Sequence, residues 1–408
     1  MTQTTAAGPD STASPTADWR LALPERRRRH LRGWLWSVAA MTLGVLIVGG
    51  ITRLTQSGLS IVDWDPIMGV IPPLDEAAWQ ESFERYRQFP EYQKLRAGMT
   101  LGEFQGIYFW EYLHRLLARG IGLVFLAPFA FFLARGYFAR PLLLRALALF
   151  GLGAAQGVMG WLMVASGLVD RPSVSHYRLA AHLALAFLIF GYSVRLAREL
   201  AVPTVRAASD PRRRRLMTRG LAAVGVLFAL QVVWGAFVAG LKAGRYHNTF
   251  PLMEGRLVPP TLLWLEPPLL NFVQNPITVQ WVHRVLGTLL ALAAIALFVR
   301  VLRAGVDRAS ARLNLAFFGL MVAQYALGVL TLIRFVPVSL AVAHQATAMV
   351  MFGVWVWWWH HVRNLRAEAP AGGGGAPGRE LVPAAAGGPA GYEEPTPRRG
   401  GAGSRGSG

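Results

Sequence analysis

The chain has 408 residues, 53% of them hydrophobic and 15% charged, with a mean hydropathy of +0.36. Soluble domains carry about 25% charged residues, so this composition points to lipid. A net charge of +19 would otherwise suggest a nucleic-acid binder, unless the basic residues lie between apolar spans. The absence of cysteine excludes thiolate-ligated haem, iron–sulfur clusters, Cys-type zinc sites, disulfides and CxxCH attachment, leaving histidine, methionine and carboxylates as metal ligands.

Residues 1–19 are rich in Thr, Ser, Ala and Pro without a hydrophobic period, which reads as a disordered tail within a basic segment 1–33. Eight apolar stretches follow, at 34–52, 106–134, 143–168, 177–198, 220–241, 277–300, 313–334 and 339–362. Each matches the roughly 20 helical residues needed to cross about 30 Å of hydrocarbon. The first is too long for a signal-peptide core and is expected to be retained. Residues 363–408, Gly/Ala/Pro-rich, read as a second tail.

With the N-terminus inside, five cytoplasmic segments hold 27 of the 41 basic residues and four outer segments hold nine. The positive-inside rule then places both termini in the cytoplasm. The run Arg212-Arg213-Arg214-Arg215 is a topology anchor in this reading, in a basic linker 199–219, and no nucleic-acid partner is expected.

The chain repeats itself. Glu111-Tyr112-Leu113-His114-Arg115 opens the second span and Gln280-Trp281-Val282-His283-Arg284 the sixth, while Gln156-x3-Gly160 in the third matches Gln324-x3-Gly328 in the seventh. The expected fold is an all-α integral membrane protein of two four-helix bundles, 34–198 and 220–362, related as a parallel repeat.

His114, His182, His283 and His344 lie five to eight residues inside the even-numbered helices, all of which enter from the outer face. At 1.5 Å rise per residue they sit roughly 10 Å below the outer surface. Two imidazoles per bundle suit the two faces of one porphyrin iron better than zinc, which takes three or four clustered protein ligands. A hydrogen bond to a neighbouring helix is the plainer reading of any one of them.

Arg115, Arg119, Arg178 and Arg284 also fall within the spans, where charge is expensive. Arg115, Arg178 and Arg284 lie beside the histidines and suit bidentate propionate binding; snorkelling, or pairing of Glu111 with Arg115 at i,i+4, is the alternative. Arg119 reads as structural. Glu111 aligns with Gln280, so the first bundle is expected to do chemistry and the second to serve it. The outer aromatics Trp79, Phe83, Tyr86 and Tyr92, with Trp64 and Pro66, read as a lid or as an interfacial belt. His30, His176, His247, His360 and His361 are given no ligand role, and methionines such as Met163 and Met253 read as apolar filling.

These residues resemble the haem A synthase family over roughly residues 34–362. The resemblance rests on Gly49-Gly50-Ile51-Thr52-Arg53-Leu54-Thr55-Gln56-Ser57-Gly58-Leu59-Ser60, on Glu111 to Arg115, on Ser166-Gly167-Leu168 with Tyr177-Arg178 and His182, and on Gly235 to Gly244. It continues through Asn248 to Met253, Gln280-x2-His283-Arg284 and His344-Gln345. It implies a b-type haem held by His283 and His344. It also implies substrate haem O near His114 and His182, with Glu111 as the catalytic carboxylate. The implied reaction oxidises a porphyrin methyl group to a formyl group through an alcohol, with an external electron carrier. One branch of the family has a cysteine pair in the outer loop, and this chain resembles the branch without it. No Arg-rich, acid-poor presequence is evident in residues 1–19, so a bacterial inner membrane is expected, with the haem sites toward the periplasm. A non-catalytic haem carrier or electron-transfer cytochrome is the alternative; a quinone-oxidising cytochrome b would place two ligands on one helix. Association with haem O synthase and a homo-oligomeric state stay open.

Overall fold

The computed structural model describes residues 23–62, 68–167, 174–201 and 208–367. The expected tails at 1–19 and beyond 367, together with Trp64, Pro66, Leu168 and Arg171, lie outside the described residues.

Eight helices are long and apolar enough to cross a membrane. They are α1 (Glu25–Leu54), α4 (Leu101–Ala134), α5 (Arg140–Gly167), α6 (His176–Leu200), α7 (Pro211–Gly240), α9 (Pro276–Arg303), α10 (Arg308–Ile333) and α11 (Val338–Arg363). Short helices α2 (Glu76–Arg87), α3 (Pro90–Leu95) and α8 (Asn271–Gln274) stand in the connections. The chain is thus an all-α multi-pass membrane protein; the described extended structure is a two-residue parallel pair, Ala208–Ser209 with Arg366–Ala367.

Several helices outrun the apolar stretches because caps, not hydropathy, decide where they begin. Thr100 and Glu103 form a reciprocal capping box that starts α4. Asp210 accepts from the Arg212 amide and Pro211 takes the first turn of α7, so Arg212 to Arg215 are helical where a linker was expected. Asn275 with Pro276 starts α9 in the same way.

Lipid tails are as apolar as leucine, so helices inside a membrane associate through close packing. The largest core joins α1, α6, α7, α9, α10 and α11, with Phe187, Phe190, Leu221, Phe228, Met349 and Trp358 buried in it. Glycines allow the closest approaches. A Cβ on Gly225 would stand 2.4 Å from the Trp355 ring, and one on Gly191 2.5 Å from Phe352. Trp355 also donates its indole N–H to the Leu221 carbonyl at 3.0 Å.

Where α1 finishes and α4 begins, α2 and α3 fold over the start of α4. Phe83, Tyr86, Phe104, Ile107 and Tyr108 are buried there, with Trp79 and Tyr92 against them. The outer aromatics therefore build a small core of their own.

Candidate functional site

Each of the four intramembrane histidines rests its ring on a glycine of the preceding long helix. A Cβ on Gly49 of α1 would stand 2.7 Å from Cε1 of His114 on α4. The corresponding distances are 3.5 Å for Gly160 of α5 to His182 on α6, 3.1 Å for Gly235 of α7 to His283 on α9, and 2.9 Å for Gly328 of α10 to His344 on α11. His114 and His182 are close enough to interact electrostatically, as are His283 and His344.

The glycines share a register with an amide. Gln156 Nε2 lies 3.2 Å from His182 Nε2, Gln231 Nε2 3.3 Å from His283 Nε2, and Gln324 Nε2 3.3 Å from His344 Nε2. His344 Nδ1 also sits 3.1 Å from the Gln324 carbonyl, a contact that suits a proton on Nδ1 and a lone pair on Nε2. Two of these Gln-x3-Gly pairs were legible as a repeat. Gln231-x3-Gly235 was missed, although the same spacing marks it, and α1 carries Val45 at the equivalent place.

Glu111 lies 2% exposed in α4 and is held on both oxygens. Ser60 Oγ donates to Oε2 at 2.7 Å and the Ile61 amide at 2.8 Å; Arg115 donates to Oε1 at 2.6 Å. Arg115 also donates to the Ile61 carbonyl at 2.7 Å, so one loop residue is gripped from both sides. The other outer loop repeats half of this. Gln280 and Arg284 both donate to the His247 carbonyl, at 3.0 and 2.7 Å, and Arg284 reaches the Thr249 carbonyl at 2.8 Å. Gln280, an amide where α4 has an acid, brings no negative charge.

Arg178 donates to the Leu162 carbonyl at 3.2 Å on the exposed side of α6. A cavity of about 320 Å³ opens between Ile61, Pro72, Tyr108, Arg115 and Arg119, directly beside the Glu111–Arg115 pair. His176 is the first residue of α6, its ring 4.0 Å from that of Tyr177 and 5.5 Å from that of Phe237. His247 pairs with Glu254 at 2.7 Å, His361 with Asp307 at 2.9 Å, and His30 lies 3.3 Å from the Tyr137 hydroxyl.

The donor set fits an axially ligated porphyrin. Among the described residues no group of three or more His, Asp or Glu side chains could hold a bare metal ion. The paired imidazoles keep buried Nδ1 atoms at His114, His182 and His283, and the glycine cradles at Gly49 and Gly328 leave no room for a Cβ, with that at Gly235 tight. Taken together, the long apolar helices, the two interacting histidine pairs and the buried carboxylate three residues before His114 define a polytopic membrane protein with a polar site inside its helices.

The family described as cytochrome oxidase assembly protein, COX15-CtaA, matches residues 32–356, and the chain belongs to it. It is 46% identical over 330 residues to the heme A synthase of Rhodospirillum centenum, covering 81% of this chain and 87% of that one. It is 44% identical over 354 residues to the heme A synthase of Chelativorans sp., covering 87% and 97%. With the heme A synthase of Bradyrhizobium sp. identity is 47% over 331 residues, covering 80% and 90%.

Proposed function

We propose that the protein is a haem A synthase that oxidises a porphyrin methyl group of haem O to a formyl group through an alcohol. The observation that carries this reading is the asymmetry between two otherwise matching histidine pairs: Glu111 stands three residues before His114, and Gln280 three before His283. Residues three apart share a helix face, so the carboxylate is aimed along the same side as the imidazole.

In this reading His114 and His182 hold the substrate iron, and Glu111 accepts a proton at the carbon being oxidised. Ser60, Ile61 and Arg115 hold that carboxylate on both oxygens, which fixes its position before the reaction begins. Arg115 and Arg284 hold the outer loops down over the two histidine pairs. Arg284, whose Nε is buried without a hydrogen-bond partner among the described residues, and Arg178 are placed to bind a porphyrin propionate, with Arg115 adding positive charge beside Glu111. His283 and His344 would hold a b-type haem, which when bound supplies one-electron transfer.

The segments 34–198 and 220–362 then form a substrate half and an electron-transfer half, in a bacterial inner membrane with both termini cytoplasmic and the sites toward the periplasm. The distribution of basic residues supports that orientation. Haem O comes from the membrane enzyme that makes it, and electrons pass to an external carrier.

Glu111→Gln tests the assignment. Turnover of haem O should disappear while bound b-type haem stays near the wild-type amount. Full activity in that variant would sink it, and b-type haem without any formyl product from the wild-type protein supplied with haem O would favour a haem carrier.

A further inference from the structure

Beneath the outer aromatic core lies a second buried carboxylate, unused so far. Glu91 lies in the first turn of the short helix α3 and is 5% exposed. Its Oε1 stands 3.9 Å from Arg96 Nε, a long contact for an ion pair, because Arg96 spends its guanidinium on the Thr55 and Gln56 carbonyls at 3.2 and 2.9 Å. Its Oε2 and the Tyr86 hydroxyl are buried and interact weakly with each other, short of a full hydrogen bond, and Arg53 Nε is buried with no hydrogen-bond partner among the described residues.

The three groups share one place. Glu91 interacts electrostatically with Tyr86 of α2, Arg96 after α3, Glu111 of α4 and Lys242 after α7, and Arg53 at the end of α1 interacts with Glu91. Buried polar atoms that lack protein partners are normally met by ordered water. A polar seam thus runs from Glu111 through the 55–61 strap to Glu91, just under the outer surface. Burial is the main cause pushing the Glu91 carboxyl up, to about 7, with Glu111 adding to it and Arg96, the Tyr86 hydroxyl and Lys242 opposing it.

We propose that Glu91 is a proton-relay residue that takes protons from Glu111 through ordered water in this seam and releases them to the outer solvent. Oxidation of the substrate alcohol to the aldehyde removes two electrons and two protons. The electrons go to the external one-electron acceptor, and each proton must leave a site where Glu111 is 2% exposed. Glu111 returns to carboxylate by passing its proton on, and Glu91 returns by losing it to water. A relay acid works best with an affinity for protons near the working pH. The alternative, a plain counter-ion for Arg96, asks nothing of the protonation state.

This inference rests on Glu111 as the carboxylate at the substrate, so Glu111→Gln and Glu91→Gln are compared in the haem-loaded protein. With haem O, Glu91→Gln should lower kcat by about ten- to a hundredfold, with KM and the haem spectrum unchanged. The rise of kcat with pH through about 7 should vanish, and the solvent deuterium isotope effect should grow. Glu91→Asp should restore the inflection, and it carries the test if the glutamine variant fails to assemble. A pH inflection and isotope effect kept by Glu91→Gln, whatever its kcat, would overturn the relay and leave the brace. Activity retained by Glu111→Gln would instead remove the reading beneath it.

Discussion

Gln56 and Lys242 are equivalent residues that touch. Each ends a long helix in the left-handed region, at φ 55° and 54°, and Lys242 Nζ donates to Gln56 Oε1 at 3.0 Å. The offset of 186 residues between them also relates Gly49 to Gly235 and Val45 to Gln231. Arg53 reaches the carbonyl of its own equivalent, Ala239, at 3.5 Å and that of Gly240 at 3.2 Å. These contacts bring the C-terminal ends of α1 and α7 together.

The left-handed turn at Gln56 is what aims its side chain across and presents its carbonyl to Arg96. A β-branched residue tolerates that conformation poorly, at a cost of about 1–2 kcal/mol. Gln56→Val should therefore lower thermal stability in detergent clearly. Gln56→Gly should change it by less than about 1 kcal/mol, since relief of the backbone offsets one lost hydrogen bond.

The glycines under the histidines make a graded series. A Cβ at Gly49, Gly235 or Gly328 would meet imidazole Cε1 at 2.7, 3.1 or 2.9 Å, so each ring must shift. At Gly160 the distance is 3.5 Å, an ordinary contact. Gly235→Ala and Gly328→Ala should lose b-type haem and Gly49→Ala should lose substrate haem. Gly160→Ala should keep both, as read from haem per polypeptide and the low-spin absorption bands.

Ser60 and Glu111 give a third expectation. The hydroxyl donates to a buried carboxylate, a charge-assisted bond worth about 1.5–3 kcal/mol. Ser60→Ala leaves Ile61 and Arg115 in place, so kcat should fall by roughly 10- to 100-fold with haem content unchanged. A steady-state assay on haem O with parallel haem quantitation checks this.

The spans, the repeat and the four histidines were legible because each is written in a period or a spacing that one chain displays. Of the partners of Glu111, Arg115 was legible from its i,i+4 spacing, and the other two were not. Ser60 and Ile61 lie about fifty positions away, and only the packing of the loop against α4 brings them to the carboxylate. The start of α7 lies ahead of its apolar stretch for a related reason: Asp210 and Pro211 start a helix that hydropathy alone would begin at residue 220. The glycine cradles fall between these cases. Gln-x3-Gly is visible in sequence, but its meaning appears only when the ring of the next helix is seen resting on it.

Asp307 at the opposite end gives a pH expectation with a defined sign. It caps α10 through the Ser310 amide at 3.0 Å and pairs with His361 of α11 at 2.9 Å. Burial pushes its carboxyl up, but the hydrogen bonds from His361 and Ser310 outweigh that and hold it well below the usual aspartate range. A carboxyl depressed on folding contributes stability that is fully present above its unfolded value, about 3.9, and is lost as pH falls through its folded value. Thermal unfolding in detergent should therefore draw nothing from this residue between pH 7 and 5, and should weaken only in stronger acid. Asp307→Ala removes the cap and the pair together, costing about 1–2 kcal/mol at pH 7. Asp307→Asn keeps a capping oxygen and should cost less, and neither variant should alter bound haem, because this contact lies at the end of α11 away from His344. Equal melting temperatures for the wild type and Asp307→Ala at pH 7 would show that the cap carries no load.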